Sequence, residues 1–416
     1  MDTTLLAYGS RGDVEPFVAL GQGLLRAGYR VRLAAPDVFA PLVLESGIEF
    51  VGLPGDPEQL VRSLVEPGGR RWCGSVRSVA KFAMPLAVQV LEALQDACAG
   101  TDAVIHSFLL TLAGHEIARA RGIPDLSAQF FPVFTATTEF PSIVFPDLPL
   151  GNLYRRATHW VLKQTYWQGS RFLYHRLRRS NPHLPQLTGW LFDVGDGRPT
   201  PILYAFSPEV VPRPHDWPGD ATVTGYWFPQ GRIDWRPPRE LADFLDAGPP
   251  PVCVSFGSTV MRERDRLGEL VVEALAISRQ RGVIVGPALH VDSLPESVLW
   301  LDYAPYGWLF PRAATVVHHG GAGTTAQGLM AGVPNVVVPF TSDQPFWGQR
   351  VANLGAGPDP IPVRQLSPER LARVIVAATI DPEMRQCAER IGRAIRAEDG
   401  VGRAVGIIGR YLLLHP

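Results

Sequence analysis

The residues best suited to chemistry lie in one stretch, 315 to 348, where an apolar run ends at two adjacent histidines, His318 and His319. A turn of small residues, 320 to 323, follows and leads into Thr324 and a helical pattern. The free N–H groups and the positive dipole end of that helix would point at the turn, and glycines admit a ligand to the backbone. The stretch therefore predicts a phosphate-binding turn, with the His319 imidazole beside a diphosphate.

A second polar pair follows the next apolar run, 336 to 338. Asp343 and Gln344 open a further helical pattern and offer a carboxylate and an amide to a polyol such as a sugar. Two other interpretations stay open. Gly321-x-Gly323-x-x-Ala326, with an acid about 20 residues on, satisfies a relaxed dinucleotide fingerprint. Alternatively, the glycines serve only the packing of a βαβ crossover.

A carboxylate occupies the corresponding place near the N-terminus. Residues 3 to 8 have the pattern of a buried strand, 9 to 13 that of a tight turn, and those from Val14 that of an amphipathic helix. Asp13 therefore follows the first strand, where ligands of parallel α/β sheets bind. Asp is also a favoured helix N-cap, which is a purely structural explanation. The helix dipole and cap N–H groups predict that this carboxylate is ionised at neutral pH.

Strand and helix patterns alternate through both halves of the chain and predict an α/β protein with parallel sheets. Further strands are expected at 29–35, 50–53, 103–108, 125–130, 202–207, 252–256, 283–286 and 298–303. Long helices are expected at 76–98, 265–281, 367–380, 383–397 and 403–414. Pro-rich stretches at 208–218 and 237–238 favour a stiff hinge, so we place a domain boundary at about residue 215.

Composition fits this two-domain organisation and excludes several classes of protein. A chain of 416 residues with 46% hydrophobic residues can fill two cores. A net charge of −1 gives no positive electrostatic field that would attract nucleic acid. The four cysteines are widely spaced and form no CxxC pair, which argues against a zinc site or a disulfide framework. No basic leader and no apolar window of about 18 residues occurs. These features predict a cytoplasmic protein.

Two segments of the first half have unusual surfaces. Phe130, Phe131 and the stretch 134 to 145 place large apolar side chains in loops. They form either a hydrophobic acceptor surface or a cover over the core. Residues 153 to 179 contain seven Lys and Arg and no acid, with six aromatic residues interleaved. This segment is either a solvated helix face or a contact with the inner face of an anionic membrane.

The block from His318 to Thr324, together with 343 to 347, resembles the donor-binding segment of inverting nucleotide-sugar glycosyltransferases of the GT-B fold, the UDP-glycosyltransferase superfamily. It looks most like the sterol 3-beta-glucosyltransferase branch, and the antibiotic and polyketide glycosyltransferases of actinomycetes have a similar block. Residues 223 to 228 resemble the linker segment of the sterol enzymes. The resemblance implies two Rossmann-like domains facing across a cleft. Residues 1–215 would bind the acceptor, 216–395 would bind the nucleotide sugar, and 396–416 would form a helix crossing back to the first domain.

The resemblance also implies the catalytic and acceptor residues. Gly12-Asp13 matches the family's Gly-Asp pair, whose acid is the general base for the acceptor hydroxyl. A carboxylate is a weak base toward an alcohol, so proton transfer would come late, as the new C1–O bond makes the hydroxyl acidic. The other residues expected to contact the acceptor are Ser10, Phe130, Phe131 and Phe134.

The donor residues carried over from the family all lie in the second half. The loop after a strand, Gly257, Ser258 and Thr259, would bind the phosphates, while Tyr303 would stack on the nucleobase and the Ala304 backbone would read its edge. The remaining ones are His319, Gly321, Gly323 and Thr324 for the diphosphate, Gln327 for the ribose, and Asp343 with Gln344 for the sugar. Two of them depart from the common pattern, with Tyr303 in place of Trp and Gln327 in place of Glu.

We therefore expect a hexosyltransferase that moves glucose from UDP-glucose to a hydroxyl of an apolar acceptor, such as a sterol, and forms a β-glycoside. A dTDP- or UDP-sugar-dependent antibiotic or polyketide glycosyltransferase is the nearest alternative. A sugar-nucleotide epimerase, a nicotinamide-dependent oxidoreductase and a non-catalytic auxiliary protein are alternatives of other classes. No metal or other cofactor is expected, because the helix N-terminus, His319, Ser258 and Thr324 would stabilise the leaving diphosphate. The expected oligomeric state is a monomer or a homodimer.

Overall fold

The computed structural model describes residues 1–56, 86–180, 186–187, 189–190, 192, 200–229, 235–257, 264–286, 289 and 291–414. The chain divides into two compact units. Unit 1 comprises Met1–Pro208, Pro212–Gln230 and Asp399–Pro416, and unit 2 comprises Glu209–Val211 and Gly231–Glu398. Of the expected site residues, Ser258 and Thr259 lie outside the described residues, as does the start of the helix expected at 76–98.

Unit 1 is built on a parallel sheet of seven strands in the order β3-β2-β1-β4-β5-β6-β7. The strands are β1 (Asp2–Leu6), β2 (Arg30–Pro36), β3 (Glu49–Leu53), β4 (Ala103–His106), β5 (Asp125–Gln129), β6 (Ile202–Tyr204) and β7 (Ala221–Val223). Every pairing is parallel. The strand order reverses between β1 and β4, so the ends of these two strands form the switch point where α/β sheets bind ligands.

The helices of unit 1 are Arg11–Arg26, Ala40–Glu45, 86–97, Thr111–Arg121, Gly151–Ser180 and Gly400–Leu414. The first helix begins after Ser10 and buries Phe17, Leu20 and Leu24. The last helix packs against it, since a Cβ added at Gly23 would lie 2.4 Å from Val401 Cγ1. Burial of these side chains is the main term that holds the helices to the sheet.

Unit 2 contains a parallel sheet of five strands in the order β10-β9-β8-β11-β12. The strands are β8 (Val252–Ser255), β9 (Gly282–Val285), β10 (Val298–Leu301), β11 (Thr315–His318) and β12 (Asn335–Val337). They are short runs of mostly β-branched and apolar residues. Four of the strands are fully buried, and in β10 only the two central residues, Leu299 and Trp300, are half-buried. The switch point of this sheet lies between β8 and β11.

The helices of unit 2 are Arg239–Asp246, Arg264–Ser278, Tyr306–Leu309, Ala322–Ala331, Gln344–Asn353, Pro368–Ile380 and Pro382–Arg396. As expected, Ser367 caps the helix that follows it, because its side chain accepts a hydrogen bond from Arg370 N at 3.2 Å. The two parallel sheets with covering helices confirm the predicted α/β class. Among the described residues, none of the helices has the length and apolar content that a membrane span requires.

Candidate functional site

The histidine turn of unit 2 lies at the switch point of its sheet. Strands β8 and β11 are neighbours in register, with Ser255 opposite His318, so the residues that follow the two strands come together. The imidazole of His319 fits between two glycines. A Cβ at Gly257 would lie 2.9 Å from its Cε1, and a Cβ at Gly321 would lie 2.4 Å from its Nε2. Both positions therefore need glycine while His319 keeps this place.

Burial keeps the imidazole ring of His319 neutral. Its Nδ1 is buried and has no hydrogen-bond partner in the described structure. Burial lowers the pKa of His319 to about 4, so the imidazole carries no charge at pH 7. An unpartnered buried polar atom is costly in an empty site and is satisfied when a ligand supplies the partner.

His318 differs from its neighbour because all of its polar atoms are used by the protein. Its Nε2 lies 3.0 Å from Asn335 Oδ1, and its Nδ1 accepts a hydrogen bond from Gly320 N at 3.1 Å. This geometry requires the neutral tautomer with the proton on Nε2. Burial lowers the pKa of His318 to about 3. His318 therefore shapes the turn, while His319 remains available to a ligand.

The helix Ala322–Ala331 starts at the turn with no side chain capping it. Its N-cap is Gly321, and Gly320 before it has φ +86°, a left-handed conformation that favours glycine. Thr324 lies in the first turn of the helix, and the Oε1 atom of Gln327 one turn on is buried without a partner. A helix N-terminus whose N–H groups receive no side-chain cap is a site for an anion.

The Asp343-Gln344 pair is held by bonds within its own segment. Asp343 Oδ2 accepts a hydrogen bond from Trp347 Nε1 at 2.9 Å, and Trp347 is fully buried. Gln344 Oε1 accepts from Phe340 N at 2.7 Å and from Thr341 N at 3.1 Å. The carbonyl of Gln344 therefore fixes the loop before the helix, and its NH₂ group is the end left to donate.

The two residues expected to bind the nucleobase follow strand β10. Tyr303 is 50% exposed and Ala304 beside it is buried, so an exposed ring stands next to a backbone position held in the core. Tyr306, three residues after Tyr303, is joined to Ser255 at the end of β8 by a hydrogen bond of 2.7 Å between their hydroxyl oxygens. The half-exposed phenol of Tyr303 is thus the aromatic ring at the position that the sequence predicts for stacking.

Asp13 lies in unit 1 after β1, but its place in the helix differs from the sequence-based interpretation. The helix begins at Arg11, with Ser10 as N-cap, and Asp13 is the third helical residue. Its Oδ2 accepts hydrogen bonds from Ser10 N at 2.7 Å and from Ser10 Oγ at 2.9 Å. The interpretation of Asp13 as an N-cap is therefore wrong, because the carboxylate closes a capping box from the other side.

The pKa of Asp13 shifts in the direction opposite to the one that the helix dipole and cap N–H groups suggest, and its ionisation at neutral pH stays a prediction. Burial raises the pKa of Asp13 above its usual range, although the hydrogen bonds from Ser10 act in the opposite direction. Burial therefore outweighs the hydrogen bonds from Ser10 in setting the pKa of Asp13, whereas the sequence had suggested the reverse. A raised pKa makes the carboxylate a stronger base. Gly9 lies directly against it, since a Cβ there would be 2.3 Å from Asp13 Oδ2, and its φ is +142°.

The aromatic loops of unit 1 form one cluster near the end of β4. We define the aromatic cluster as six half-buried rings: Phe108, Phe131, Phe134, Tyr166, Trp190 and Phe192. Their ring centroids lie 5.0 to 6.3 Å from those of their neighbours. Only two of the six were expected from sequence. Phe108 was missed although it follows β4 at the switch point, which was the available signal.

The remaining expected acceptor residues have roles within unit 1. Phe130 is only 8% exposed and packs edge-on against Phe17 and Trp227, with ring centroids 5.7 and 6.3 Å away. Ser10 is engaged with Asp13 through its hydroxyl. Contact of either residue with an acceptor stays a prediction.

Hydrogen bonds and an ion pair hold the loop after Phe134 against residues 215 and 216. Asp216 accepts hydrogen bonds from Thr137 Oγ1 at 2.7 Å and from Thr138 N at 2.8 Å, and Glu139 pairs with His215 at 2.7 Å. Phe140 and Ile143 further along are buried. The loop therefore covers the core over this part, while its start contributes to the aromatic cluster. The interpretation as a cover over the core therefore holds for this part, whereas an acceptor surface at the start of the loop stays a prediction.

His106 and His115 form a network with Asp125 at the end of β4. Asp125 Oδ2 lies 2.9 Å from His106 Nε2 and 3.0 Å from His115 Nδ1. Although burial alone would raise it, these hydrogen bonds lower the pKa of Asp125 to about 2. The network joins β4, β5 and the helix Thr111–Arg121, and His106 Nδ1 remains buried without a partner in the described structure. A structural role for the two histidines stays a prediction.

Comparison with known proteins gives matches over both halves of the chain. Residues 3–140 match the glycosyltransferase family 28 N-terminal domain, and residues 281–400 match the erythromycin biosynthesis protein CIII-like C-terminal domain. The chain is 38% identical over 431 residues to O-mycaminosyltylonolide 6-deoxyallosyltransferase of Streptomyces fradiae, covering 99% of this chain and 97% of that protein.

Two further proteins are similar over the whole chain. A sterol 3-beta-glucosyltransferase of Arabidopsis thaliana is 35% identical over 430 residues, which are 99% of this chain and 66% of that longer protein. The solved structure of the glycosyltransferase VinC in complex with DTDP has a TM-score of 0.66 at 21% identity, with 100% of both chains covered.

Proposed function

Because the chain belongs to the GT-B glycosyltransferase family, we propose that it transfers a hexose from a nucleotide sugar to a hydroxyl of an apolar acceptor. The observation that carries the proposal is the position of His319. Its imidazole lies between Gly257 and Gly321, beside an uncapped helix N-terminus, with a buried nitrogen that has no partner. This set of groups suits the diphosphate of a sugar donor.

The donor is bound by unit 2 in this proposal. The diphosphate lies at the start of helix Ala322–Ala331, where His319, Thr324 and the backbone N–H groups donate to it. Tyr303 stacks on the nucleobase, and the unpartnered Oε1 of Gln327 accepts a hydrogen bond from a ribose hydroxyl. As charge develops on the leaving diphosphate, these fixed donors stabilise it, and no step requires a metal ion.

Sugar recognition is assigned to the start of the helix Gln344–Asn353. Asp343 accepts from a sugar hydroxyl while Trp347 holds its other oxygen, and the Gln344 amide donates to a neighbouring hydroxyl. A carboxylate and an amide on adjacent residues suit a fully hydroxylated hexose. We therefore propose glucose, delivered as UDP-glucose.

Unit 1 supplies the base and the acceptor surface. The acceptor oxygen attacks C1 of the sugar from the face opposite the diphosphate, the C1–O bond to the diphosphate breaks, and Asp13 takes the hydroxyl proton. A single displacement turns an α-linked donor into a β-glycoside. The aromatic cluster favours a rigid, fused-ring or otherwise apolar acceptor, since its half-buried rings offer faces for such a molecule. A sterol or a related natural product fits this description.

A second candidate is transfer of a deoxysugar from a dTDP-linked donor to a polyketide. The similarity of 38% to a deoxyallosyltransferase favours it, as does Gln327, which offers the ribose one oxygen and an amide instead of a carboxylate. Both candidates share the fold, the diphosphate site and the base, and differ only in nucleobase, sugar and acceptor.

The test is a two-step screen. UDP- and dTDP-sugars are first compared for protection against thermal unfolding, and the best donor is then incubated with sterol and polyketide panels, with products read by mass. The proposal expects protection by UDP-glucose and a product heavier by one hexose. Protection by dTDP-sugars alone would favour the second candidate. Absence of protection by every nucleotide sugar and nucleoside diphosphate would contradict both.

A further inference from the structure

The helix Gly151–Ser180 presents an exposed face of unusual composition. Three large apolar side chains on it are more than half exposed: Leu153 (84%), Trp160 (62%) and Phe172 (60%). Arg171 and Arg179 are also exposed. At about 100° per residue, these five side chains lie within an arc of about 120°. We refer to them as the basic face.

The opposite side of the same helix is packed into unit 1. His159 and Tyr174 are buried, and Tyr166 belongs to the aromatic cluster, where its hydroxyl donates to Phe108 O at 3.1 Å. The helix is therefore anchored along its inner side, and its outward apolar residues are not part of the core. Their exposure needs another explanation, because isolated exposed residues are normal but a run of them along one helix face is not.

The charge of this helix has one sign only. It contains seven Lys and Arg and no acid, a formal charge of +7, within a chain whose net charge is −1. No acid occurs in the sequence between Asp147 and Asp193. Among the described residues, Arg179 has no carboxylate within ion-pair distance, and Arg171 bonds only to His175, at 3.3 Å between nitrogens. An acidic surface outside the chain would supply the negative charge that these exposed arginines lack.

We propose that the basic face binds the surface of an anionic lipid bilayer. A bilayer interface accepts Trp, Phe and Leu at the depth of the headgroups while anionic headgroups attract arginines beside them, and one face carries both residue types here. The helix lies in the interface, since it is too polar to span it. Its inner side contributes Tyr166 to the aromatic cluster, so one helix links the lipid surface to the acceptor surface. That link rests on the proposed function, whereas membrane binding does not.

Sedimentation with vesicles tests the binding without any substrate. Full-length protein is mixed with vesicles of phosphatidylcholine alone or with about one third phosphatidylserine. We expect binding to the anionic vesicles only, weakening as salt rises. Arg171→Gln with Arg179→Gln should weaken binding about 30-fold, since each arginine near an anionic surface contributes about fivefold. Trp160→Ser with Phe172→Ser should weaken it at least about tenfold.

A matched control carries the same kinds of change on unit 2. Ile380 is 71% exposed and the Arg239 side chain is 94% exposed, so Ile380→Ser with Arg239→Gln removes an apolar and a basic group elsewhere. It should bind vesicles as the wild type does. A cooperative thermal unfolding transition at the wild-type temperature, recorded without any ligand, establishes that all variants are folded. Three results overturn the proposal: no binding to anionic vesicles, equal binding to both vesicle types, or equal losses in the control.

Discussion

At the scale of single residues, two side chains of each unit have environments that decide what they can do. His318 and His319 are adjacent and both neutral at pH 7, yet one is fully hydrogen-bonded and the other has an unpartnered nitrogen. Ser10 and Asp13 are joined by two hydrogen bonds, and only the acid can accept a proton from a substrate. In each pair, one residue (His318 or Ser10) is held by hydrogen bonds within the protein, and the other (His319 or Asp13) has a chemical role in the proposed function.

The two histidines should respond to alanine in opposite ways. His318→Ala leaves Asn335 and Gly320 without buried partners and should lower the free energy of unfolding by about 2–4 kcal/mol. Among the described residues, His319→Ala removes no hydrogen bond, so it should leave stability within about 1 kcal/mol but weaken UDP binding about 10- to 100-fold. Urea unfolding and calorimetric titration measure the two quantities. Equal effects of the two substitutions on both quantities would contradict this division.

Protonation of Asp13 should make the reaction slower at low pH. Its carboxylate accepts a proton only when ionised, so kcat/KM should fall as the pH decreases through its raised pKa. The same shift predicts stability: a raised carboxyl pKa stabilises the fold below the unfolded-state pKa, and that contribution is lost as pH rises through the folded-state pKa. Ionised Asp13 therefore costs stability at neutral pH.

The matching variant is Asp13→Asn. It should lower turnover by about 10²- to 10⁴-fold, keep thermal protection by UDP, and melt no lower than wild type at pH 7. Any stability gain should shrink as the pH falls and wild-type Asp13 becomes protonated. Loss of both turnover and nucleotide protection would mean that Asp13 is a structural residue.

At the scale of elements, strand ends and glycine turns bring the site together. Strands β8 and β11 are adjacent and parallel, so the turns after them meet, and the glycines in both turns leave just enough room for one imidazole. Gly321 has φ −62°, which any residue adopts, so its lack of a side chain matters only for the space that His319 occupies. A substitution at Gly321 therefore tests a steric effect on His319 and not an effect on the backbone conformation.

Gly321→Ala should therefore act through His319 alone. The added Cβ would lie 2.4 Å from Nε2 and force the ring to move, so we expect UDP binding to weaken about tenfold with little change in stability. In a His319→Ala background the same change should cost almost nothing, because the three nearest atoms all belong to that ring. A double-mutant cycle on UDP affinity measures the coupling. Additive effects would show that the glycine serves the backbone instead.

At the scale of the whole molecule, the two units carry different tasks in the proposed function. Each has its own parallel sheet and its own switch point, with Asp13 near one and His319 near the other. A nucleotide should therefore order only part of the chain. We expect UDP, which lacks the transferred sugar, to slow amide exchange in 316–327 and to leave 341–345, 10–13 and 131–134 unchanged.

An apolar acceptor should give the complementary result, with protection in 10–13 and 131–134. Hydrogen exchange read by mass spectrometry at peptide level measures both patterns, and a non-binding nucleoside provides the baseline. Protection by UDP confined to unit 1 would contradict the assignment of the donor to unit 2.

The sequence by itself determined the α/β class, the family and the places where chemistry would lie. Hydrophobic runs ending in glycine turns reveal strand–turn–helix units, because strand and helix periods are local properties of the chain. The motif from His318 to Thr324 was sufficient for the family, which the comparisons confirm. Ser367 as a helix cap was readable for the same local reason.

Only the tertiary structure decided what each of these residues contacts. It distinguished His319 from His318, gave the capping role to Ser10 and a raised pKa to Asp13, and added four rings to the aromatic cluster. Burial and hydrogen bonding depend on neighbours that are distant along the chain, such as Asn335 for His318. A local pattern cannot specify those neighbours, because the packing of separate elements brings them together.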